Sequence, residues 1–324
     1  MVNMTTSRLT FANYWDHFLA RSGVNRMGHR IEPGLYAIGK PTPESPVFVT
    51  ANYSLSFDAL RAALPGIHGY ILVLDTQAIN VWCAASKGTF GTDELVQRIE
   101  STGLRDAVSH RVLILPQLGA PGVAAHEVKK QTGFKVEYGP VRASDLPVYL
   151  EHHQATPEMR RVHFTLGDRL AVIPVEIVGG LSWMLVAAVI AFFFGGWLSS
   201  LVAVAMMLAG VALFPIILPW LPTHDFSSKG FILGVALALP LAFMSLQGNA
   251  DAVWWVRALQ AITPLLVWPP VVAFLALNFT GSTTFTSKTG VQREIFKYVR
   301  GMAWMFIIGL VLMIGLPLLR IMGG

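Results

Sequence analysis

The sequence predicts an α/β domain with a mostly parallel sheet, followed by an all-α membrane domain of five transmembrane helices. Charge is the first observation: residues 1–169 hold 17 of the 24 Lys and Arg and 15 of the 19 Asp and Glu. Hydropathy is the second, since five long apolar stretches follow residue 170. The third is an alternation of short β-branched runs with helical patterns before that point. We therefore place the domains at residues 1–168 and 169–324.

The five apolar stretches are each close to the roughly 20 residues that a helix needs to cross a bilayer. They lie at about residues 175–196, 197–219, 230–248, 256–278 and 302–320. Only Gly195 and Gly196 separate the first two, so a tight hairpin is expected there. The segment 291–300 alternates apolar and basic faces, which predicts an interfacial helix or one that docks under the soluble domain or its redox partner.

Basic residues beside the spans gather on one side of the predicted membrane. This bias predicts a multi-pass protein of the cell inner (cytoplasmic) membrane, with its N-terminal domain in the cytoplasm and its C-terminus outside. Residues 1–30 contain no apolar core of a secretory signal, which fits a cytoplasmic start. The basic residues are Arg160, Arg161, Arg169, Lys229, Lys288, Arg293, Lys297 and Arg300.

The soluble half predicts strands that alternate with helices, the pattern of a Rossmann-like parallel sheet covered on both faces. The strands are expected at Val47–Thr50, Tyr70–Asp75, Val112–Leu115 and Lys135–Tyr138, and the helices near 55–64, 92–102, 121–132 and 143–152. Thr92 is the expected N-cap of the second helix, with Asp93 and Glu94 in its first turn. Ligands of such sheets bind beyond the carboxyl ends of the strands. That edge contains three loops: Thr76–Thr92, Pro116–Gly122 and Gly139–Asp145.

Cys83 is the one cysteine of the chain. A single thiol excludes an internal disulfide and any all-cysteine zinc or iron–sulfur site within one chain. The net charge of +5 comes with no nucleic-acid-binding motif, so no nucleic-acid partner is expected. A lone cysteine on an apolar face is usually a small core residue, so its sequence context has to decide its role.

Other polar residues could suggest a functional site, but their positions do not support one. His152, His153 and His163 share no helical face, so they predict a solvated linker and not a metal site. Glu176 lies near the start of the first span, and Asp251 with Arg257 lies near the start of the fourth. Charge inside a bilayer is costly and can mark an ion path, but side chains this close to an interface usually extend to water.

Four segments of the soluble half resemble a known cofactor-binding domain. They are Pro46–Leu55, Leu72–Thr76, Leu113–Pro116 and Tyr138–Pro140, and they are similar to the corrinoid-binding domain of the corrinoid iron–sulfur protein large subunit. The run Asn80-Val81-Trp82-Cys83-Ala84-Ala85-Ser86-Lys87 resembles the cap-helix signature of HgcA, the family of mercury-methylating corrinoid proteins. That family also joins such a domain to five C-terminal membrane helices. Its pattern usually has Gly where this chain has Ser86.

The resemblance implies a corrinoid-dependent methyltransferase that moves a methyl group from the cobalt of a cobalamin-type cofactor to Hg(II), forming methylmercury. Cys83 would be the catalytic residue and the axial ligand of cobalt. A thiolate is a soft, strongly donating ligand and suits release of methyl with carbanion character. The cofactor-binding residues implied are Thr50, Asn52, Asn80, Val81, Trp82, Cys83, Ala84, Ala85, Lys87, Gly88, Gly91, Gly119, Gly122, Gly139 and Pro140.

The same resemblance implies partners. Uptake of a methyl cation and release of a methyl carbanion consume two electrons per turnover, and this chain has no cysteines for an iron–sulfur cluster. A ferredoxin-like protein with two [4Fe–4S] clusters is therefore expected as electron donor and as a source of Hg(II). A methyl-donating methyltransferase or corrinoid protein is expected as well.

Two alternatives stay open. In the first, the chain is a corrinoid methyl carrier of one-carbon metabolism without a mercury substrate. In the second, it is a transporter or metal-trafficking protein. Mercury carriers need paired thiols to hand on a two-coordinate ion, and this chain has one thiol, which disfavours the second alternative. The loop Phe279–Ser287 also looks familial, and no role is assigned to it.

Overall fold

A computed structural model describes residues 2–248, 253–283 and 288–322 of the chain. The chain divides after His163 into two compact units, and each is described by itself. The predicted boundary at residue 168 falls in the first turn of the first long helix of the second unit.

The N-terminal unit is a six-stranded sheet covered by helices on both faces. Its strands are β1 (Asn3–Thr5), β2 (Gly34–Ile38), β3 (Val47–Ala51), β4 (Gly69–Leu74), β5 (Val112–Leu115) and β6 (Lys135–Tyr138). Its helices are α1 (Phe11–Arg21), α2 (Ser54–Ala62), α3 (Val81–Lys87), α4 (Thr92–Thr102), α5 (Leu104–Ala107), α6 (Ala125–Thr132) and α7 (Leu146–His152). The strand order is β1-β2-β4-β3-β5-β6.

The sheet is mixed, because β2 runs antiparallel to β4 while the other paired strands are parallel. The four predicted strands are confirmed, and β1 and β2 are additional. Residues 39–46 join β2 to β3 without a helix, and so short a link cannot carry the chain back across the sheet for a parallel pairing. Strand β2 therefore leaves the sheet at the edge where β3 enters it.

Two apolar clusters fill the two faces of this sheet. Leu72 and Leu74 of β4 pack on one face with α3, α4 and α6, and Ile71 and Val73 pack on the other with α2 and α7. Alternation along a strand sends successive side chains to opposite faces, and a strand buried on both is therefore apolar throughout. All five residues of β3 are buried, which fits its place in the middle of the sheet.

Two predicted helix starts change. Gly91, and not Thr92, is the N-cap of α4, and the Thr92 hydroxyl instead accepts a hydrogen bond of 2.8 Å from the Ala124 backbone N–H. Asp93 and Glu94 do lie in the first turn of α4, as predicted. Helix α6 begins at Ala125 and not near residue 121, because the preceding residues form the packed loop described below.

Within its described residues, the C-terminal unit has four helices that are long and apolar enough to cross a membrane: Leu166–Trp220, Phe226–Gln247, Trp254–Gly281 and Thr289–Leu316. Their elements are α8 (Leu166–Leu208), α9 (Phe214–Ile217), α10 (Phe226–Gln247), α11 (Trp254–Asn278) and α12 (Lys288–Met322). The count of five spans is thus not confirmed.

The first of these four helical stretches carries a backbone break at the predicted hairpin. Gly195 and Gly196 have non-helical torsions, and Gly196 lies at a φ of 67°, which glycine adopts without strain. The two arms contact each other: Arg169 Nη1 donates 3.1 Å to the Pro215 carbonyl, and Met184 packs with Val211. The chain therefore reverses direction at the glycine pair.

The segment 291–300 forms the first turns of α12 and is not a separate interfacial helix. Its Glu294 is buried, and the carboxylate accepts hydrogen bonds from the backbone N–H groups of Phe226 (3.1 Å) and Ser227 (2.9 Å) at the start of α10. A helix N-terminus favours a negative charge, so this contact fixes α12 against α10.

The remaining charged residues of the membrane unit have the following places. Glu176 lies half-buried within α8. Arg257 donates two hydrogen bonds to the Leu246 carbonyl at the end of α10, and its predicted neighbour Asp251 lies outside the described residues. Residues 284–287 of the loop Phe279–Ser287 also lie outside the described residues. His152, His153 and His163 are exposed, but His152 is the last residue of α7 and His153 is its C-cap, so of the three only His163 lies in a linker as predicted.

Candidate functional site

Helix α3 follows the carboxyl end of β4 and separates its residues into two faces. Val81, Ala84 and Ala85 are buried and belong to the core cluster on one side of the sheet. Cys83 is half-buried on the opposite face and shares the outward side of the helix with Lys87 one turn later. Cys83 is thus outside the buried cluster, and it lies on the half-exposed face of α3.

The ends of α3 are capped by residues of the recognised run. The Asn80 side-chain oxygen accepts a hydrogen bond of 2.9 Å from the Cys83 backbone N–H, which is N-capping geometry. Gly88 ends the helix in the left-handed region at a φ of 86°. Ser86 is exposed inside the helix, and its hydroxyl donates 3.2 Å to the Trp82 carbonyl. The serine is therefore compatible with the cap helix.

Asn52, at the end of β3, positions the start of the loop that leads to α3. Its side-chain oxygen accepts hydrogen bonds of 3.0 Å from the backbone N–H groups of Thr76 and Ala78, and its amide nitrogen donates 3.1 Å to Asp75. Asn52 is 2% exposed, and Thr50 is 3% exposed within β3. Asn52 therefore contributes by holding the loop in place, whereas Thr50 is buried within the strand.

Glu94 of α4 fixes the same loop from the other side. Its carboxylate accepts 2.8 Å from the Asp75 backbone N–H and is held by Arg98 at 2.7 Å. The charge-assisted pair is half-buried, and it keeps the carboxyl end of β4 in register with the start of α4. Sequence reasoning placed Glu94 in the first turn of α4 and did not foresee this contact.

The predicted glycines of the first two loops let protein backbones approach each other. A Cβ on Gly122 would collide with the Phe90 carbonyl oxygen, and one on Gly119 would lie 2.5 Å from the Phe90 ring. A Cβ on Gly91 would lie 2.6 Å from the Gly88 carbonyl oxygen. Loops Thr76–Thr92 and Pro116–Gly122 are therefore packed together behind α3.

The third predicted loop joins the second one. The Gln117 backbone N–H donates 3.3 Å to the Pro140 carbonyl, and the Arg160 guanidinium donates 2.6 Å to the Gln117 side chain. Gly139 and Pro140 are buried, and a Cβ on Gly139 would lie 3.2 Å from Ile114. The three predicted loops thus form one continuous edge, with α3 on its outer side.

The electrostatic setting of Cys83 contains opposing effects. Burial raises the pKa of the Cys83 thiol above its ordinary value, and the positive charges of Lys87 and Arg26 and a hydrogen bond with Asn80 act against that rise. The net direction is upward, so the thiol holds its proton at neutral pH in the absence of a ligand. A metal that binds the sulfur must displace this proton.

The N-terminal segment is part of this region and was missed. Arg26 is close enough for its charge to act on Cys83, and Asp16 of α1 contacts both His29 (2.6 Å) and Ser54 (2.5 Å) at the start of α2. No strand had been predicted before residue 47, so residues 3–30 had no expected place in the sheet. The spacing between Asp16 and His29 was the one signal of their contact in the sequence, and such a spacing is weak evidence.

The N-terminal unit is similar to known proteins. The family model described as CO dehydrogenase/acetyl-CoA synthase delta subunit matches residues 25–150. The gamma subunit of the acetyl-CoA decarbonylase/synthase complex from Archaeoglobus fulgidus is 36% identical over 124 residues, which is 38% of this chain and 26% of that protein. The same subunit from Methanopyrus kandleri is 36% identical over 128 residues, 39% of this chain and 27% of that protein. The chain thus spans about a quarter of the length of these relatives.

The match to the family model ends before the membrane unit, which begins at Phe164. The matched region runs from residue 25 to residue 150, so it contains β2 to β6 and α3 but neither α1 nor the membrane helices. The resemblance of the soluble half to proteins of acetyl-CoA synthesis is therefore supported, and the resemblance to the mercury-methylating family is not tested by these comparisons.

Proposed function

We propose that the N-terminal unit binds a corrinoid and transfers a methyl group, with Cys83 as the axial ligand of cobalt. The observation that carries the proposal is the outward face of α3, where a capped helix at the carboxyl edge of the sheet presents the one thiol of the chain. Parallel sheets place their ligands at this edge. The similarity to acetyl-CoA decarbonylase/synthase gamma subunits supports methyl chemistry on the same domain.

The donor set fits a cofactor of this type. The described residues contain no group of three His, Cys, Asp or Glu side chains that could hold a bare metal ion. A corrin ring brings its own nitrogen ligands to cobalt, so the protein would need to supply a single further ligand, and Cys83 would be that ligand. The Thr89 hydroxyl, next to the end of α3, is buried without a partner among the described residues. A bound group with amide side chains would satisfy such a hydroxyl.

The residues of the chain then have separate tasks. Asn80 caps the start of α3 and so fixes the position of Cys83. The helix is packed on the core by Val81, Ala84 and Ala85. Lys87 stabilises the thiolate that must form when the sulfur binds metal. When bound, the corrinoid would supply a methyl group, and electron donation from the Cys83 thiolate to cobalt would increase the carbanion character of that group, which suits an electrophilic acceptor.

The finer proposal is that the acceptor is Hg(II). The run Asn80–Lys87 supports it, and Ser86 does not count against it because the helix passes through that residue unbroken. The chain carries one thiol, so we propose that a ferredoxin-like protein with two [4Fe–4S] clusters supplies electrons and delivers mercury, and that a methyltransferase or second corrinoid protein supplies methyl.

We propose five membrane spans, with the N-terminal unit in the cytoplasm and the C-terminus outside. The support is the break at Gly195 and Gly196 and the contact of Arg169 with Pro215, which divide the 55-residue helical stretch into two antiparallel arms. A single straight helix of that length would be about 80 Å long, far beyond a bilayer of about 30 Å. Labelling of cysteines placed near each end in intact cells tests this topology.

The test of function is methyl transfer by the full chain loaded with methylcobalamin in reduced conditions. We expect methylmercury from Hg(II) with the wild-type chain and with Ser86→Gly, and none with Cys83→Ala. Wild-type yield from Cys83→Ala would refute the role of the thiol. Equal corrinoid content in the three proteins is the control for binding.

A second candidate is a methyl carrier of one-carbon metabolism without a mercury substrate. The relatives favour it, because their names place them in acetyl-CoA decarbonylase/synthase complexes. The two functions differ in the polarity of the methyl group. A carrier would pass methyl as a cation to a nucleophile and leave Hg(II) unmethylated, whereas a mercury methylase would pass methyl as a carbanion to Hg(II).

A further inference from the structure

The exposed large apolar side chains of the N-terminal unit gather in its first 27 residues. Among the described residues of that unit, the exposed large apolar residue elsewhere is Val148. Scattered single apolar residues are normal on a protein surface, but a contiguous set marks a contact site. The set comprises Val2, Met4, Phe11, Tyr14, Trp15, Phe18, Val24 and Met27.

The centre of this set is one face of α1, which we call the aromatic face: Phe11, Tyr14, Trp15 and Phe18. Their spacing of three and four residues places them on one side of a helix. They are 82%, 59%, 53% and 58% exposed, and the rings of Trp15 and Phe18 stack at 5.4 Å. Four neighbouring aromatic rings in water are costly to keep uncovered, since each removes a large apolar area when it is buried.

The other face of α1 is fixed to the domain. Ala20 is buried, Asp16 is bound to His29 and Ser54, and His17 lies 2.8 Å from Asp58 of α2. The helix therefore cannot turn its aromatic face inward without breaking these contacts. The aromatic face is a fixed outward surface.

The charges around the aromatic face are basic. Residues 1–31 contain Arg8, Arg21, Arg26 and Arg30 and one acid, Asp16, which is engaged with His29 and Ser54. The four arginines are exposed. A surface with aromatic rings in the middle and arginines at its border complements an anionic lipid headgroup layer, where Trp and Tyr rings also gather.

We propose that the aromatic face of α1 inserts into the headgroup region of an anionic bilayer, with Arg8, Arg21 and Arg26 on lipid phosphates. A bilayer is the favoured occupant because the described part of the same chain carries four helices long and apolar enough to cross one. Interfacial attraction then needs no separate targeting. This inference does not depend on the corrinoid proposal, because α1 lies outside residues 25–150.

The test uses Trp15 as a depth probe in the full chain in lipid nanodiscs. The chain has nine tryptophans, so the Trp15 emission is taken as the difference between wild type and Trp15→Phe. Lipids brominated near the headgroup should quench this difference emission in phosphatidylcholine mixed with phosphatidylglycerol. The quenching should fall with Arg21→Glu/Arg26→Glu, and at high ionic strength, because salt screens exposed charges.

A second pair of variants separates the aromatic face from general apolar exposure. Phe11→Ser/Phe18→Ser should abolish Trp15 quenching, whereas Val148→Ser should leave it unchanged, with the same circular dichroism and thermal midpoint in each. Trp15 emission that stays unquenched in anionic bilayers would overturn the proposal. So would an emission that shifts to the blue only when a soluble ferredoxin is added, which would assign the face to a protein partner.

Discussion

The side-chain oxygen of Asn80 accepts a hydrogen bond of 2.9 Å from the backbone N–H of Cys83. Helix α3 has seven residues, and a helix this short is not stable by propensity alone. The cap and the packing of Val81, Ala84 and Ala85 therefore keep it formed. The position of the thiol depends on a side chain three residues before it.

Loss of this cap should loosen the cap helix. We expect Asn80→Ala to destabilise α3 by about 1 kcal/mol, because the side-chain oxygen that accepts the hydrogen bond of the Cys83 backbone N–H is lost. Hydrogen exchange of residues 81–87 should become faster, and the affinity for cobalamin should fall. Asn80→Asp keeps an oxygen acceptor and is the matched control. Unchanged exchange in Asn80→Ala would show that packing alone holds the helix.

Thiolate coordination by Cys83 should depend on pH. Burial raises the pKa of the thiol, so binding to cobalt must release a proton, and formation of the cobalt–sulfur species should increase as pH rises. Lys87 lowers that pKa by its charge, so Lys87→Gln should move the midpoint to higher pH. An absorption titration of the cobalamin-loaded chain measures the midpoint. Lys129→Gln on α6 is the control, and a midpoint that moves equally in both would contradict the local effect.

The contact between His29 and Asp16 should weaken at alkaline pH. The two ring nitrogens of His29 lie 2.6 Å from Asp16 Oδ1 and 2.6 Å from the Val24 carbonyl, so both must donate and the ring is an imidazolium. Burial lowers the pKa of His29, but these hydrogen bonds outweigh it and the net pKa is raised. The stabilisation is complete below about pH 6.5 and is lost as pH rises through the raised pKa.

Hydrogen exchange of residues 22–29, corrected for the intrinsic effect of pH, measures this contact. Protection should fall with rising pH in the wild type and should be low and constant in His29→Gln. His126 is exposed, so His126→Gln should behave as the wild type. Hydrogen-exchange protection that stays constant in the wild type as pH rises above about 6.5 would exclude the imidazolium.

The close packing of the loops predicts a strict glycine requirement. A Cβ on Gly122 would overlap the Phe90 carbonyl oxygen, which is backbone and cannot rotate away. We expect Gly122→Ala to destabilise the N-terminal unit by about 1–3 kcal/mol, as overpacking does. A Cβ on Gly167 has its nearest neighbour at 3.8 Å, so Gly167→Ala should be neutral. Equal thermal midpoints for the two variants would contradict the packing described.

The sequence predicted the elements whose local pattern is strong. Strand β4 is a continuous apolar run, and α4 has an acidic first turn, so both were placed to within a residue. Cys83 was singled out because it is the one thiol, and the structure places it on the outward face of α3. These inferences needed no long-range information.

The remaining features depend on contacts between distant residues. The antiparallel β2 and the attachment of α1 arise from pairings with β4 and with Asp58, and neither leaves a local signal. Glycines expected to line a ligand instead bring backbone segments together, as Gly122 does with Phe90. Thr50 and Asn52 were expected to bind the cofactor, but both are buried, and Asn52 instead bonds the loop that leads to α3.

The most direct test of the account is cobalt X-ray absorption on the full chain loaded with cobalamin. The prediction is one sulfur scatterer in the cobalt coordination shell of the wild type and of Ser86→Gly, and none in Cys83→Ala. A wild-type shell that contains nitrogen and oxygen alone, at a pH where the thiol is deprotonated, would contradict the assignment of Cys83 as the axial ligand.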